Sequence, residues 1–393
     1  MIFKSLFFRL VSLLDYITPK YKNNFIFVSN NGDFSNVDAF YKFMKSKKNF
    51  NLIWISHDNK ESNYLFNKYN VKSYNLYSLK GFFKILFSKF IFVSHGGFTG
   101  FRSKRRVVFH LWHGCALKNM GRFLNQNTAF KYGVNKNCYF IFCSQIDKLE
   151  FSSAYNIDPN KILLFGLARN DVLFNSNFQK KNLTKLLLYK CKNSNYKKIY
   201  FYLPTFRDNF SIYSNSNVNM NYLSNLFLFK DFNLKKFNLY LKKNNFLLLV
   251  KLHPYDLRLK KLDKFDSLSN ILFILNSDLN FLNFNLYSFM GASDVLITDY
   301  SSVAIDYLLL NKPIFILNSD LNKFKYNRGL FLDPIDFWLP GKIINNYKSL
   351  LFNFDKYDSM DSSKIRLMLD LRHKYKDGFA SKRLYYFIKE NYL

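Results

Sequence analysis

Two histidines stand directly after strand-like apolar runs. His113 follows the run in VVFHLWHG (107–114), and His253 follows the run in LLLVKLHPYD (247–256). A histidine at a strand exit is placed to take or give a proton near neutrality, and Gly114 lets a ligand approach the backbone closely. Pro254 biases His253 away from helix and keeps it at the strand end. If both act on one substrate, they supply a base and an acid; if neither does, each braces its own loop. Spacing alone leaves both readings open. His95 and Gly96 in VSHGG repeat the strand-exit arrangement more weakly, whereas His110 lies within an apolar run and reads as core.

Several groups suited to anions accompany the histidines. Lys118 can meet phosphate as a point charge. Arg169 in GLARND and Arg207 in YLPTFRD can clamp an oxyanion with two parallel N–H bonds, or pair with Asp171 and Asp208 to brace a loop. Thr205 adds a hydroxyl donor. In DVLITDYSSVAIDYLLLNKPIFI (294–316) a strand is expected to end at Thr298 and Asp299, with Ser301 and Ser302 capping a helix over 303–310. Free N–H groups at such a helix start suit a diphosphate, and Asp306, one turn in, could meet a hydroxyl.

These groups need strands that end in loops at one edge of a sheet. Apolar runs at 23–30, 51–58, 90–97, 106–114, 139–144 and 161–166 alternate with helical patterns, and the alternation restarts at 198, 244, 270, 293 and 312. Such alternation implies α/β architecture: two Rossmann-like domains, each with a parallel sheet covered on both faces, facing across a cleft. The expected divisions are an amphipathic N-terminal helix over 1–18, an N-terminal domain over 19–185, a C-terminal domain over 196–372 and a final helical segment over 373–393.

Composition bounds the function. With 49% hydrophobic and 22% charged residues in 393, the chain has material for real cores, so disorder through low hydrophobicity is excluded. A net charge of +31 points to an anionic partner. The basic residues are scattered, without an arginine-rich arm or recognition helix, so a non-catalytic binder of nucleic acid or acidic surfaces is the weaker alternative. Phe, at 47 residues, and Tyr, at 28, look like a bias spread over the whole chain. Four cysteines without CxxC spacing fit a reducing compartment and give no metal signature. No acidic metal triad is evident, so no protein-bound metal is expected, with Mg²⁺ carried on a nucleotide as the remaining option. The opening apolar stretch contains Lys4, Arg9 and Asp15 and is too short to span a bilayer. It either lies in a membrane interface or packs on the first domain.

The blocks WHGCALKNMG, GLARND, LPTFRD, KLHPYD, DVLITDYSSVAIDYLLLNKPIF, LDPIDFWLPG and DGFASKRLYYFI follow one another in an order that resembles the CDP-glycerol glycerophosphotransferases, the teichoic acid primases and polymerases. With FIFVSNNGDFSNVDAFY ahead of them, the resemblance spans about residues 24–390. It implies a GT-B-like fold and transfer of polyol phosphate, glycerol phosphate favoured, from a CDP-polyol to a hydroxyl of a lipid-linked saccharide or polyol-phosphate polymer, releasing CMP. By the same resemblance His113 and His253 match the catalytic histidines, Ser301 and Ser302 lie near the donor diphosphate, and Arg207 and Asp299 line the cleft. The implied setting is the cytoplasmic face of a bacterial membrane, at an anionic surface, in teichoic acid or capsule synthesis. A nucleotide-sugar glycosyltransferase on the same two-domain plan is the alternative enzyme.

Overall fold

The computed structural model describes residues 10–11, 13–28, 36–95, 105–123, 137–205, 225–253, 256, 268–356 and 362–393. The chain forms two compact units. The first contains residues 1–115, 120–174 and 371–393, and the second contains 116–119 and 175–370.

In the first unit, strands β1 (Tyr21–Val28), β2 (Asn51–Ser56), β3 (Ser73–Asn75), β4 (Ser88–Val93), β5 (Val107–His110), β6 (Cys138–Phe142) and β7 (Ile162–Leu164) build a parallel sheet in the order β3-β2-β1-β4-β5-β6-β7. Period-two alternation sorts its side chains. Ile26, Val28, Ile91, Val93 and Val108 form an aliphatic face, while Phe25, Phe27, Phe90, Phe92 and Phe109 form an aromatic one. Register aligns Phe27 with Phe92 and Phe92 with Phe109, and their rings stack at 5.2 and 5.4 Å. The helix Ala380–Tyr392 adds Leu384 and Ile388 to this face. Part of the phenylalanine richness is therefore a cross-strand ladder inside one core.

The second unit repeats the plan. Strands β8 (Lys198–Leu203), β9 (Phe246–Val250), β10 (Ile271–Phe273), β11 (Val295–Thr298), β12 (Ile314–Leu317) and β13 (Lys342–Ile344) lie parallel in the order β10-β9-β8-β11-β12-β13. Its buried tyrosines are satisfied: the Tyr200 hydroxyl donates to the Phe354 carbonyl and that of Tyr202 to the Leu226 carbonyl. Each sheet reverses its strand order once, between β1 and β4 and between β8 and β11, where sheets of this kind bind ligands beyond the strand ends.

One passage between the units falls at Phe174–Asn175. The polar run after it is the helix Ser176–Cys191, whose buried Gln179 and Asn182 donate to the carbonyls of Tyr287 and Ser288 within the same unit. Asparagine abundance also finds a use, since six of the nine described non-glycine residues with positive φ are Asn (49, 70, 156, 245, 283 and 311). Ahead of β1, Val11 and Leu14 pack on the aliphatic face, and the buried Asp15 carboxylate pairs with Arg106 at 2.6 Å and Lys20 at 2.9 Å. Residues 1–9, including Lys4 and Arg9, lie outside the described residues. Among the described residues no helix is long and apolar enough to cross a membrane.

Candidate active site

At the exit of β5 the chain makes an unusual turn. Trp112 takes a left-handed conformation (φ 53°), which a bulky side chain rarely adopts, and Gly114 follows at φ 150°. Such strain, about 1–3 kcal/mol, persists where surroundings over-determine it. Here they do. The Trp112 N–H donates to His110 Nδ1 at 3.3 Å, and its indole packs edge-on against Phe151 at 4.7 Å. The buried Asn36, at the start of the helix Asn36–Lys45, donates its amide to the carbonyls of Leu111 and Trp112 at 2.9 and 3.0 Å and accepts the Arg169 N–H at 3.0 Å. Arg169 completes the frame, its guanidinium donating to the His113 carbonyl at 2.7 Å.

The frame presents the His113 ring at the surface of its unit. Its flanks are closed by Trp112 at 4.5 Å and by His95, stacked at 4.9 Å with the rings 3° from parallel. Nδ1 faces the Ser94 carbonyl at 3.4 Å. A carbonyl only accepts, so that partner assigns the ring proton to Nδ1 and leaves the Nε2 lone pair free to act as a base. Desolvation, reinforced by His95 and Arg169, lowers the His113 pKa to about 4, with the Ser94 carbonyl opposing part of the effect. His113 is accordingly neutral at physiological pH. We expect its NMR titration midpoint to fall below the ordinary 6.5, and His95→Gln to move it upward by removing a like charge. A midpoint at or above 6.5 in the unmodified protein would contradict this arrangement.

In the second unit the strand-order reversal is occupied by two of the predicted residues. The Thr205 N–H donates to both oxygens of the Asp299 carboxylate, at 2.8 and 3.0 Å, and the Thr298 hydroxyl donates to the Leu203 carbonyl at 2.6 Å. These bonds join the ends of β8 and β11. His253 stands exposed three residues beyond β9, with its carbonyl accepting the Asp256 N–H at 2.9 Å.

Other expectations are altered. Ser302 occupies the helix-start position in αR conformation without a side-chain cap, and the Val303 N–H lies 3.5 Å from the Ser301 hydroxyl. Ser302 therefore does not cap, because an αR residue does not aim its hydroxyl back at the first turn, and Ser301 makes the one long contact. The α-helix covers only Val303–Tyr307 and continues as a 3₁₀ turn to Leu310. Asp306 is fully buried and accepts the Tyr287 hydroxyl at 2.6 Å, so the hydroxyl it meets belongs to the protein. Arg169 braces the His113 loop, while the Asp171 carboxylate accepts the N–H groups of Ala380 and Ser381. Lys118 lies over the Phe324 ring at 5.5 Å, on a segment bridged to Leu330. Arg207 and Gly96 lie outside the described residues.

Sequence reasoning missed Asn36. In NGDFSNVDAF it reads as an ordinary turn or cap residue, and no local signal shows its amide reaching the end of β5.

Comparisons with known proteins converge on one family. Residues 10–390 match the family described as CDP-Glycerol:Poly(glycerophosphate) glycerophosphotransferase. The chain is 29% identical over 299 residues to the teichoic acid glycerol-phosphate primase of Bacillus subtilis (strain 168), covering 73% of this chain and 69% of that protein. It is 26% identical over 372 residues to the teichoic acid glycerol-phosphate transferase of Staphylococcus aureus (strain NCTC 8325 / PS 47), covering 89% and 88%. Among solved structures, a wall teichoic acid polymerase, TagF, superposes with a TM-score of 0.75 at 21% identity, over 99% of this chain and 93% of that one.

Proposed function

Because the chain belongs to the CDP-glycerol:poly(glycerophosphate) glycerophosphotransferase family, we propose that it transfers glycerol phosphate from CDP-glycerol to a hydroxyl of a lipid-linked or polyol-phosphate acceptor. The enzyme class is CDP-polyol phosphotransferase, acting in teichoic acid synthesis. The single observation that carries the chemistry is His113: a neutral imidazole with its Nε2 lone pair open, held by a strained turn and three polar contacts.

Nε2 of His113 takes the acceptor proton as that oxygen attacks the polyol-bearing phosphorus. The bond from this phosphorus to the bridging oxygen breaks, and CMP leaves with the electron pair. A positioned base of this kind contributes about 10²–10⁴-fold. His253 protonates or hydrogen-bonds the departing phosphate. The β8 and β11 ends, with Thr205, Ser301, Ser302 and Arg207, bind the nucleotide diphosphate and stabilise charge on its oxygens. Asp299 acts by holding the Thr205 backbone in place.

The net charge of +31 and exposed Leu10, Leu13, Tyr16 and Ile17 support peripheral association with an anionic membrane on the cytoplasmic face.

The test is mass-spectrometric detection of CMP and elongated product, with CDP-glycerol or CDP-ribitol as donor, lipid-disaccharide or short polyol-phosphate acceptors, and Mg²⁺ supplied. We expect CMP and acceptor product together from CDP-glycerol. Product from CDP-ribitol alone would overturn the choice of polyol. No product from any pair, with folded protein and anionic vesicles present, would overturn the activity.

A further inference from the structure

Behind the His113 turn, the first unit gathers soft metal-binding groups that the transfer reaction leaves unused. Cys115 follows β5, Cys143 follows β6, and Asp147 lies in the first turn of the helix Gln145–Tyr155. The two Sγ atoms and a carboxylate oxygen lie within 4.8 Å of one another. All three residues are buried, at 3%, 1% and 1% exposure. The returning C-terminal segment packs beside them. The Lys374 N–H donates to the Cys143 carbonyl at 2.9 Å, and His373 beside it is buried.

We propose that Cys115, Cys143 and Asp147 form a buried site for one zinc-class divalent cation, with a solvent molecule completing a tetrahedron. Zinc takes thiolate sulfur at about 2.3 Å and imidazole nitrogen or carboxylate oxygen at about 2.0–2.2 Å, which places donors roughly 3–4 Å apart around the ion. A cluster already within 4.8 Å reaches that spacing by small side-chain rotations. The carboxylate retains an open ligand atom. Asp147 Oδ2 accepts from the N–H groups of Cys143 and Ser144, the Ser144 hydroxyl and the Cys115 thiol, whereas the buried Oδ1 accepts no hydrogen bond. Arg372 lies 3.8 Å from that Oδ1 and 3.2 Å from Glu150. Two thiolates and a carboxylate around a dication leave one excess negative charge, and the guanidinium beside them offsets it. Binding releases both thiol protons to solvent, so affinity rises with pH.

The site is buried on all three protein ligands, which suits an ion that braces the fold. It ties together the loop two residues beyond His113, the exit of β6 and the start of the helix Gln145–Tyr155. The sequence hides the set because its members stand far apart in the chain, with no paired spacing.

Purified full-length protein would be loaded with Zn²⁺ or Co²⁺, desalted, and measured by elemental mass spectrometry and optical absorption. We expect about one ion per chain, and for Co²⁺ a thiolate-to-metal charge-transfer band with intense tetrahedral d–d bands. Cys143→Ser should abolish both signals, while Cys138→Ser, at a buried cysteine outside the cluster, should keep them. Should Cys143→Ser fail to fold, the unmodified protein still decides. Folded protein that retains no ion and shows no charge-transfer band overturns the site, as does an intact mass showing a Cys115–Cys143 disulfide in place of metal.

Discussion

Replacing His113 with alanine is expected to lower turnover by about 10²–10⁴-fold with donor and acceptor saturating, the contribution of a positioned general base. The ring is exposed and meets the Ser94 carbonyl only through a long Nδ1 approach, while the turn is held through the backbone carbonyls and the Trp112 indole. Folding should therefore survive, with the thermal midpoint close to that of the parent. The His95 partner loses a stacking face. The pH profile gives an independent check. A base whose pKa is lowered to about 4 is fully deprotonated at neutrality, and its activity falls only as pH drops through that low value. The acid limb of kcat/KM should thus lie below about 6, and His113→Ala should remove it. Turnover near that of the parent at saturation would exclude His113 as the base.

Much of the architecture is legible because parallel strands buried on both faces leave continuous apolar runs, and the helices between them keep a different period. The histidines are legible for the same reason: Trp-His-Gly and His-Pro follow such runs, and in the structure His113 and His253 stand three residues beyond β5 and β9. What stays hidden depends on orientation and on distance along the chain. Ser301 and Ser302 have the composition of a cap, but the αR conformation of Ser302 withdraws it from that role. Asp306 reads as open to a ligand because Tyr287, which occupies it, comes from a separate turn. The phenylalanines look like compositional drift until strand register stacks Phe27, Phe92 and Phe109. The helix Ser176–Cys191 looks like a linker because its buried faces carry Gln179 and Asn182 alongside Leu183, Leu186 and Leu187, and no propensity scale anticipates their partners at Tyr287 and Ser288.

Asn36 is the strongest case of a residue defined only by the fold, and its replacement by leucine is expected to be costly for both stability and turnover. The substitution removes two donors and one acceptor from a fully buried position, leaving the Leu111 and Trp112 carbonyls and the Arg169 N–H without that partner. Each buried backbone group left unsatisfied costs about 1–3 kcal/mol, so the total loss should be about 3 kcal/mol or more, read as a lower denaturation midpoint at unchanged m-value. The left-handed Trp112 then loses part of what holds it, and the His113 ring shifts with it. Misplacement of a catalytic group by about 1 Å can cost 10²-fold, so kcat should fall by roughly that factor. Donor KM should change little, since the nucleotide is assigned to the second unit. Asn36→Asp separates positioning from bulk packing: it preserves the acceptor for Arg169 and loses both donors to the turn. If Asn36 positions His113, kcat should stay about 10²-fold low in this variant whatever stability it keeps. Equal loss and recovery of stability and kcat across the two variants would make Asn36 a packing residue alone.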